Sequence, residues 1–432
     1  MRRSIALLAL ALALVAAVAG QAAWTRARKY DCLMAEGEAA AAAGEPRTAI
    51  EAFSGAVAVQ PDAMVAWLRR GELYRSQGDL ESAARDLRQA ARLDALSPRA
   101  HEALGDVHLA QQRYARAAER YEAVLEIDER ASRVLYKLGL ACYHEGQFER
   151  AASALERAVA LDDRRPETHY LLGLCQVQHR RLDQAAQSLR RAVTLDPTLV
   201  AAQEALVDVY LELGRPTAAL GELTALARLD PGQPERLATL GLTLARAGRH
   251  EDAVMTLARA STRFPDHPVL LTALGQVWLE TGEARRDRVA LSKALEALRR
   301  ASERGPVTGR TLALLGRARL RLGDSRQALR TLQTAASLLP VPRTVFDDLA
   351  DAAEAQGRLA TARDALMRAA ALAGDEDDAR GRALRAARIA RLAARTGASS
   401  EAITWLERAV QLQPQDPDLR QRLVEARRRP AP

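Results

Sequence analysis

The chain has 432 residues, a net charge of +8 and a pI near 9.8, with 48% hydrophobic and 27% charged residues but only 4% aromatics. Its three cysteines, Cys32, Cys142 and Cys175, lie far apart without C-x-x-C spacing, which excludes a disulfide framework and a cysteine metal module. The positive balance reads as an arginine bias rather than a nucleic-acid footprint. Lys29, Lys137 and Lys293 are the only lysines, and opposite charges stand side by side along the helices, as in Glu119-Arg120 and Glu407-Arg408.

In chain order, the first predicted element is apolar. Arg2 and Arg3 precede a run from Ile5 to Val18 that continues through small residues to Trp24, followed by Arg26, Arg28 and Lys29. Counted to Trp24 the run holds about 20 residues, the length of a helix across a bilayer of roughly 30 Å. The expectation is an N-terminal segment 1–29 that anchors the chain in a membrane through residues 4–24, with the remainder on the periplasmic or extracytoplasmic side. The alternative is a signal peptide cleaved near Ala17-Val18-Ala19, followed by secretion.

From residue 30 one unit is copied. Gly44, Gly78, Gly146, Gly214, Gly248 and Gly282 stand 34 or twice 34 residues apart, in phase with Ala49, Ala83, Ala117, Ala151, Ala185, Ala219 and Ala253. Pro61, Pro197, Pro231 and Pro265 keep the same step. A fixed period of 34 in helix-forming composition marks stacked helix-turn-helix units. The glycine supplies a left-handed turn between helix A and helix B, and the proline ends helix B. Gln112 and Arg180 occupy the turn position in two units. Residues 64–97 carry Trp67, Gly71, Tyr74, Gly78, Ala83, Leu87 and Ala90, an order of large and small residues that the neighbouring units repeat. Gly71 and Ala83 allow the helices to cross closely while Trp67, Tyr74 and Leu87 fill the space around them.

In these positions the chain resembles a tetratricopeptide repeat protein. Units start near 30, 64, 98, 132, 166, 200, 234, 268, 309, 343 and 383, so about eleven fill residues 30–416. The resemblance implies an all-α fold, a right-handed α-solenoid, closed by a capping helix and tail over residues 417–432. Two units break the period. Gly282 and Gly323 are 41 residues apart, and the excess, placed in Glu283 to Lys293, predicts a longer helix B. Six extra residues near Asp375 to Arg382 predict a longer loop.

No stretch carries chemistry. His101 and His108 are seven apart, and His101-Glu102 lacks the second histidine of a zinc-peptidase motif. Both stand where Trp67 and Tyr74 stand one unit earlier, so packing is expected, as it is for Cys142 and Cys175. No catalytic, cofactor or metal residues are assigned, and the chain reads as a non-enzyme.

The resemblance implies that the A helices line a concave groove for peptide segments of partner proteins. The second, fifth, ninth, twelfth and thirteenth positions of two adjacent units then give Tyr136, Leu140, Tyr143, His144, Tyr170, Leu174 and Val177, an apolar centre. Charged units flank it, with Glu102 and Asp106, Glu204 and Asp208, Arg310, Arg317 and Arg321, and Asp347, Asp351 and Glu354. The expected function is a membrane-tethered scaffold for protein partners in cell-envelope assembly, without nucleic acid. The alternative is an exported, chaperone-like solenoid that forms a homo-oligomer through the same patch.

Overall fold

The structure is a computed structural model that describes residues 2–338, 340, 342–372 and 378–428, with side chains from residue 18. The described residues form 23 helices and no strand, as expected of an α-solenoid of tetratricopeptide units. They divide into two compact units, Met1–Leu213 and Gly214–Pro432.

The first unit begins with α1 (Arg2–Ala42), α2 (Pro46–Val59), α3 (Met64–Ser76) and α4 (Leu80–Leu93). It continues with α5 (Pro98–Ala110), α6 (Tyr114–Ile127), α7 (Ser132–His144) and α8 (Phe148–Leu161). It ends with α9 (Pro166–Gln178), α10 (Leu182–Leu195) and α11 (Val200–Glu212). The second unit holds α12 (Pro216–Leu229), α13 (Pro234–Arg246), α14 (His250–Arg263) and α15 (Pro268–Arg285). There follow α16 (Arg288–Arg304), α17 (Gly309–Leu322), α18 (Ser325–Ser337) and α19 (Thr344–Ala355). The last are α20 (Leu359–Ala371), α21 (Ala379–Arg395), α22 (Ser399–Leu412) and α23 (Pro417–Arg428). Up to α22, odd-numbered helices are A and even-numbered helices are B. Within each unit every helix packs on its sequence neighbour, so the core is a continuous seam and not a central ball.

The seam is made by one repeated contact. A Cβ on Gly139 would lie 2.5 Å from Leu155 Cγ, one on Gly173 2.6 Å from Leu189 Cγ, and one on Gly241 2.4 Å from Leu257 Cγ. The three leucines, all on B helices, are fully buried. Only a residue without a side chain lets the two backbones come this close.

The A-to-B turns are left-handed at Gly44, Gly78, Gly146, Gly214 and Gly248, as expected. Gln112 and Arg180 adopt the same conformation, at φ 58° and 57°. Gly282 does not. It lies inside α15, where a Cβ would meet Leu291 at 2.8 Å, and the left-handed residue is Arg286. The added length is therefore shared. Helix α15 runs 18 residues against 13 in α13, and α16 runs 17 against 14 in α14. Of the second insertion, residues 373–377 lie outside the described residues. Ala379–Arg382 form the first turn of α21, capped by the Asp378 side chain on the Gly381 amide at 2.7 Å, and not the expected loop. The terminal α23 buries Leu419 and half-buries Leu423.

The N-terminal expectation is corrected. Residues 4–17 of the proposed span lie outside the residues whose side chains are described, and among the described residues no helix is long and apolar enough to cross a membrane. Helix α1 does run unbroken into the first repeat. The location inferred from that span falls with it.

Two variants test the architecture. Gln112→Gly removes a strained left-handed side chain at an exposed turn and is expected to raise stability by about 0.5–1 kcal/mol in urea unfolding. Gly173→Val forces Leu189 out of its site. It is expected to cost about 1–3 kcal/mol, read as faster hydrogen exchange in α9 and α10.

Candidate functional site

Two devices orient the A helices. The first is a side-chain staple at the fourth position of the unit, which hydrogen-bonds the carbonyl six residues earlier in the inter-repeat turn. Trp67 Nε1 donates to Pro61 O at 2.9 Å, and Gln203 Nε2 donates to Pro197 O at 3.0 Å. His101 Nε2 and His169 Nε2 reach Ala95 O and Asp163 O at 3.1 and 2.8 Å. Each is an N–H donor where a turn carbonyl would otherwise be unsatisfied. His101 is thus a packing residue, as its register implied. His108 is buried against Gln111, and burial holds its pKa below the ordinary histidine value.

The second device is a ladder of ion pairs running from one A helix to the next. In the first unit Arg99 Nε and Nη2 both donate to Glu72 at 2.9 Å. Lys137 Nζ lies 2.7 Å from Glu102 and 2.6 Å from Asp106, and Arg75 adds a 3.1 Å contact to Asp106. From helix B, the buried Tyr121 hydroxyl donates to Asp106 at 2.9 Å; burial, and then the Asp106 carboxylate beside it, raise its pKa. Glu102 and Asp106, expected as an acidic edge, are therefore spent inside the solenoid. Their partners on the next A helix, Arg133 and Lys137, stand at the second and sixth positions of the following unit, 31 or 35 residues later.

Beyond Lys137 the ladder gives way to an aromatic face on α7 and α9. Tyr136, Leu140, Tyr143, Tyr170, Leu174 and Val177 are all half-buried there, and His144 is exposed. Tyr143 packs edge-on against Phe148 and His144, with ring centroids 5.5 and 5.7 Å apart. His144 stacks on Tyr114 at 4.9 Å, and the Arg165 guanidinium covers Tyr136 at 5.4 Å. Beneath them Cys142 and Cys175 fill the core, and burial pushes the Cys175 thiol up to about 12. Burial also raises the phenol pKa values of Tyr136, Tyr143 and Tyr170. On the next A helix, Asp208 stays open to solvent and forms no ion pair among the described residues. Crowding on the helix face and the neighbouring Glu204 push its carboxyl pKa up.

In the second unit the ladder resumes. Arg317 grips Glu283 through Nε and Nη2 at 2.8 and 2.7 Å, so it is a rung and not a free contact. Arg321 bridges Glu283 and Asp348, and Arg388 bridges Asp351 and Glu354. Asp348 is buried, and the loss of hydration outweighs the pull of Arg317 and Arg321, so its pKa rises to about 6. A folded carboxyl that holds its proton more tightly than the unfolded chain stabilises most below pH ~4 and loses that advantage as pH rises to 6. Asp348→Asn is expected to stabilise the protein above pH 6 by about 1–2 kcal/mol, with the gain vanishing below pH 4 in thermal melts across pH.

A family profile described as the Cilia and flagella-associated protein 70 C-terminal domain matches residues 16–208. Two profiles described as tetratricopeptide repeat match residues 176–241 and 313–380. The chain is built of tetratricopeptide repeats. Proteins made of such repeats are generally non-enzymatic scaffolds for protein–protein contact. One curated relative is the small glutamine-rich tetratricopeptide repeat-containing protein 2 of Mycosarcoma maydis, 32% identical over 100 residues. That match covers 23% of this chain and 28% of that protein, so the chain spans little more than a quarter of its relative's length. Among solved structures, YrrB, described as having an unusual peptide-binding site, is 23% identical with a TM-score of 0.39, over 43% of this chain and 95% of its own. MamA of Desulfovibrio magneticus is 22% identical with a TM-score of 0.38, over 40% and 97%.

Proposed function

We propose that the chain is a non-enzymatic scaffold that holds a partner segment on the face of α7, α9 and α11, through Tyr136, Leu140, Tyr143, His144, Tyr170, Leu174 and Val177. One observation carries this reading. Along the A helices of the first unit, the ion pairs onto Glu72, Glu102 and Asp106 end at Lys137; on α7 and α9 half-buried rings and aliphatic side chains line the face, and the Arg180–Glu212 ion pair between these later repeats sits at the turn end of the helices. Between repeats such side chains give up the electrostatic contact that the ladder supplies elsewhere and keep apolar edges available.

The occupant that fits is an extended apolar segment with a basic residue beside Asp208. Each tyrosine or leucine edge it covers contributes up to ~1.5–3 kcal/mol before association costs. A few such contacts support micromolar binding, about −8 kcal/mol. Since most of each ring is already packed on the core, the affinity depends on several edges together. Phe148 and Tyr114 support the rings from the side and need not touch the partner.

In-cell photocrosslinking with p-benzoylphenylalanine at position 143, followed by mass spectrometry, tests the proposal. Crosslinks to a different protein through an apolar segment with a flanking Lys or Arg are expected, weakened about tenfold by Asp208→Arg. Crosslinks only to copies of this chain, or none, would refute partner binding at this face.

A further inference from the structure

We propose that the second unit carries a separate site, on α13, α15 and α17, for an apolar partner segment that bears a carboxylate. A cavity of about 420 Å³ opens there, lined by three successive A helices. It falls within the range of ligand pockets. It opens beside the turn that follows the lengthened repeat. Helix α16 ends at Arg304 and α17 begins at Gly309, and the extended segment between them is laid on Pro268, so closely that a Cβ on Gly305 would meet Pro268 Cγ at 2.3 Å. Leu242, Pro268, Val269 and Pro306 form apolar walls. On the lining, the Thr272 and Thr311 hydroxyls hydrogen-bond each other at 3.2 Å, and Thr311 also meets the Thr308 hydroxyl at 2.8 Å.

The charge preference follows from a missing acid. Arg310 and Gln276 occupy the same repeat positions, second and ninth, as Arg99 and Glu72 in the first unit. Arg99 meets a carboxylate through two 2.9 Å bonds, whereas Arg310 Nη2 meets only the neutral Gln276 Oε1, at 2.9 Å. Arg317 and Arg388, like Arg310, bond a residue 34 positions earlier, and theirs is a glutamate. Among the described residues Arg310 forms no ion pair, and it stands exposed at the cavity rim on the first turn of α17. The amino end of that helix adds positive potential at the same place. The opposite rim carries Glu235, 3.6 Å from His267, which disfavours an anion there and so orients the segment. The site does not rest on the aromatic face of the first unit.

The test is selection of a random heptapeptide phage library on the full chain, then affinity measurement of resynthesised winners with their acidic residues and with Gln in place of them. Enrichment of Asp or Glu beside aliphatic residues is expected. Arg310→Gln should weaken binding at least tenfold, and the acid-to-Gln peptide should lose a similar factor on the wild-type chain but little on Arg310→Gln. Gln276→Glu should also weaken binding at least tenfold while keeping or raising Tm, because it closes the ladder without harming the fold. Tyr143→Ala should leave binding unchanged. A selection that yields no acidic winners, affinity of the acidic winners indifferent to Arg310→Gln, their loss of binding in Tyr143→Ala, or concentration-dependent self-association abolished by Arg310→Gln would each overturn the proposal.

Discussion

The fold depends on the contact between a side-chain-free position on helix A and a large side chain on helix B. Gly71 against Leu87, Gly105 against Tyr121 and Gly275 against Leu298 place the two backbones so close that a methyl group would collide at 2.5–2.7 Å. This sets the spacing within each repeat. It also sets which residues face outward, because once one stripe of helix A is committed to helix B, the remaining stripes must meet the next repeat or solvent. Where glycine is absent, Val207, Ala350 and Ala390 stand at the same register and are buried, so modest size suffices where the partner can give way.

A seam of this kind leaves the A-helix face short of apolar cover, and the chain meets that need with charge. Networks such as Glu102–Lys137–Asp106 are half-buried and share hydrogen bonds with Tyr121, so removing one member strands the others. Isolated surface pairs would contribute little. Places where the ladder is interrupted therefore stand out against a regular background. In the first unit the interruption is aromatic, and in the second it is a neutral amide opposite an arginine beside a cavity. The two interruptions favour opposite charges on whatever binds, a basic flank near Asp208 and an acidic group at Arg310.

Much of this was legible from residues alone. The turn positions were read correctly, including Gln112 and Arg180, because a left-handed turn recurs at fixed register whatever residue fills it. Gly282 was misread for a physical reason. A glycine serves equally as a turn and as a point of close approach, and only the position of Leu291 distinguishes them. The residues expected at a groove in the fourth and fifth repeats lie on α7 and α9, half-buried except for the exposed His144. Their degree of cover was not legible, since it depends on Phe148, Tyr114 and Arg165 from neighbouring elements. The expected use of Glu102, Asp106 and Arg317 as free charges missed the pairing partners one repeat away.

The sequence by itself determined the period, the helix pairs and the register of each side chain, because these follow from local propensity and from a 34-residue repeat that needs no knowledge of distant neighbours. The tertiary structure decided how the extra residues of the 268 repeat divide between α15 and α16, which charges are consumed in ladders, and where a cavity opens. Those outcomes turn on distances between residues about 30 positions apart in the chain, a scale on which one Å separates an ion pair from an open site.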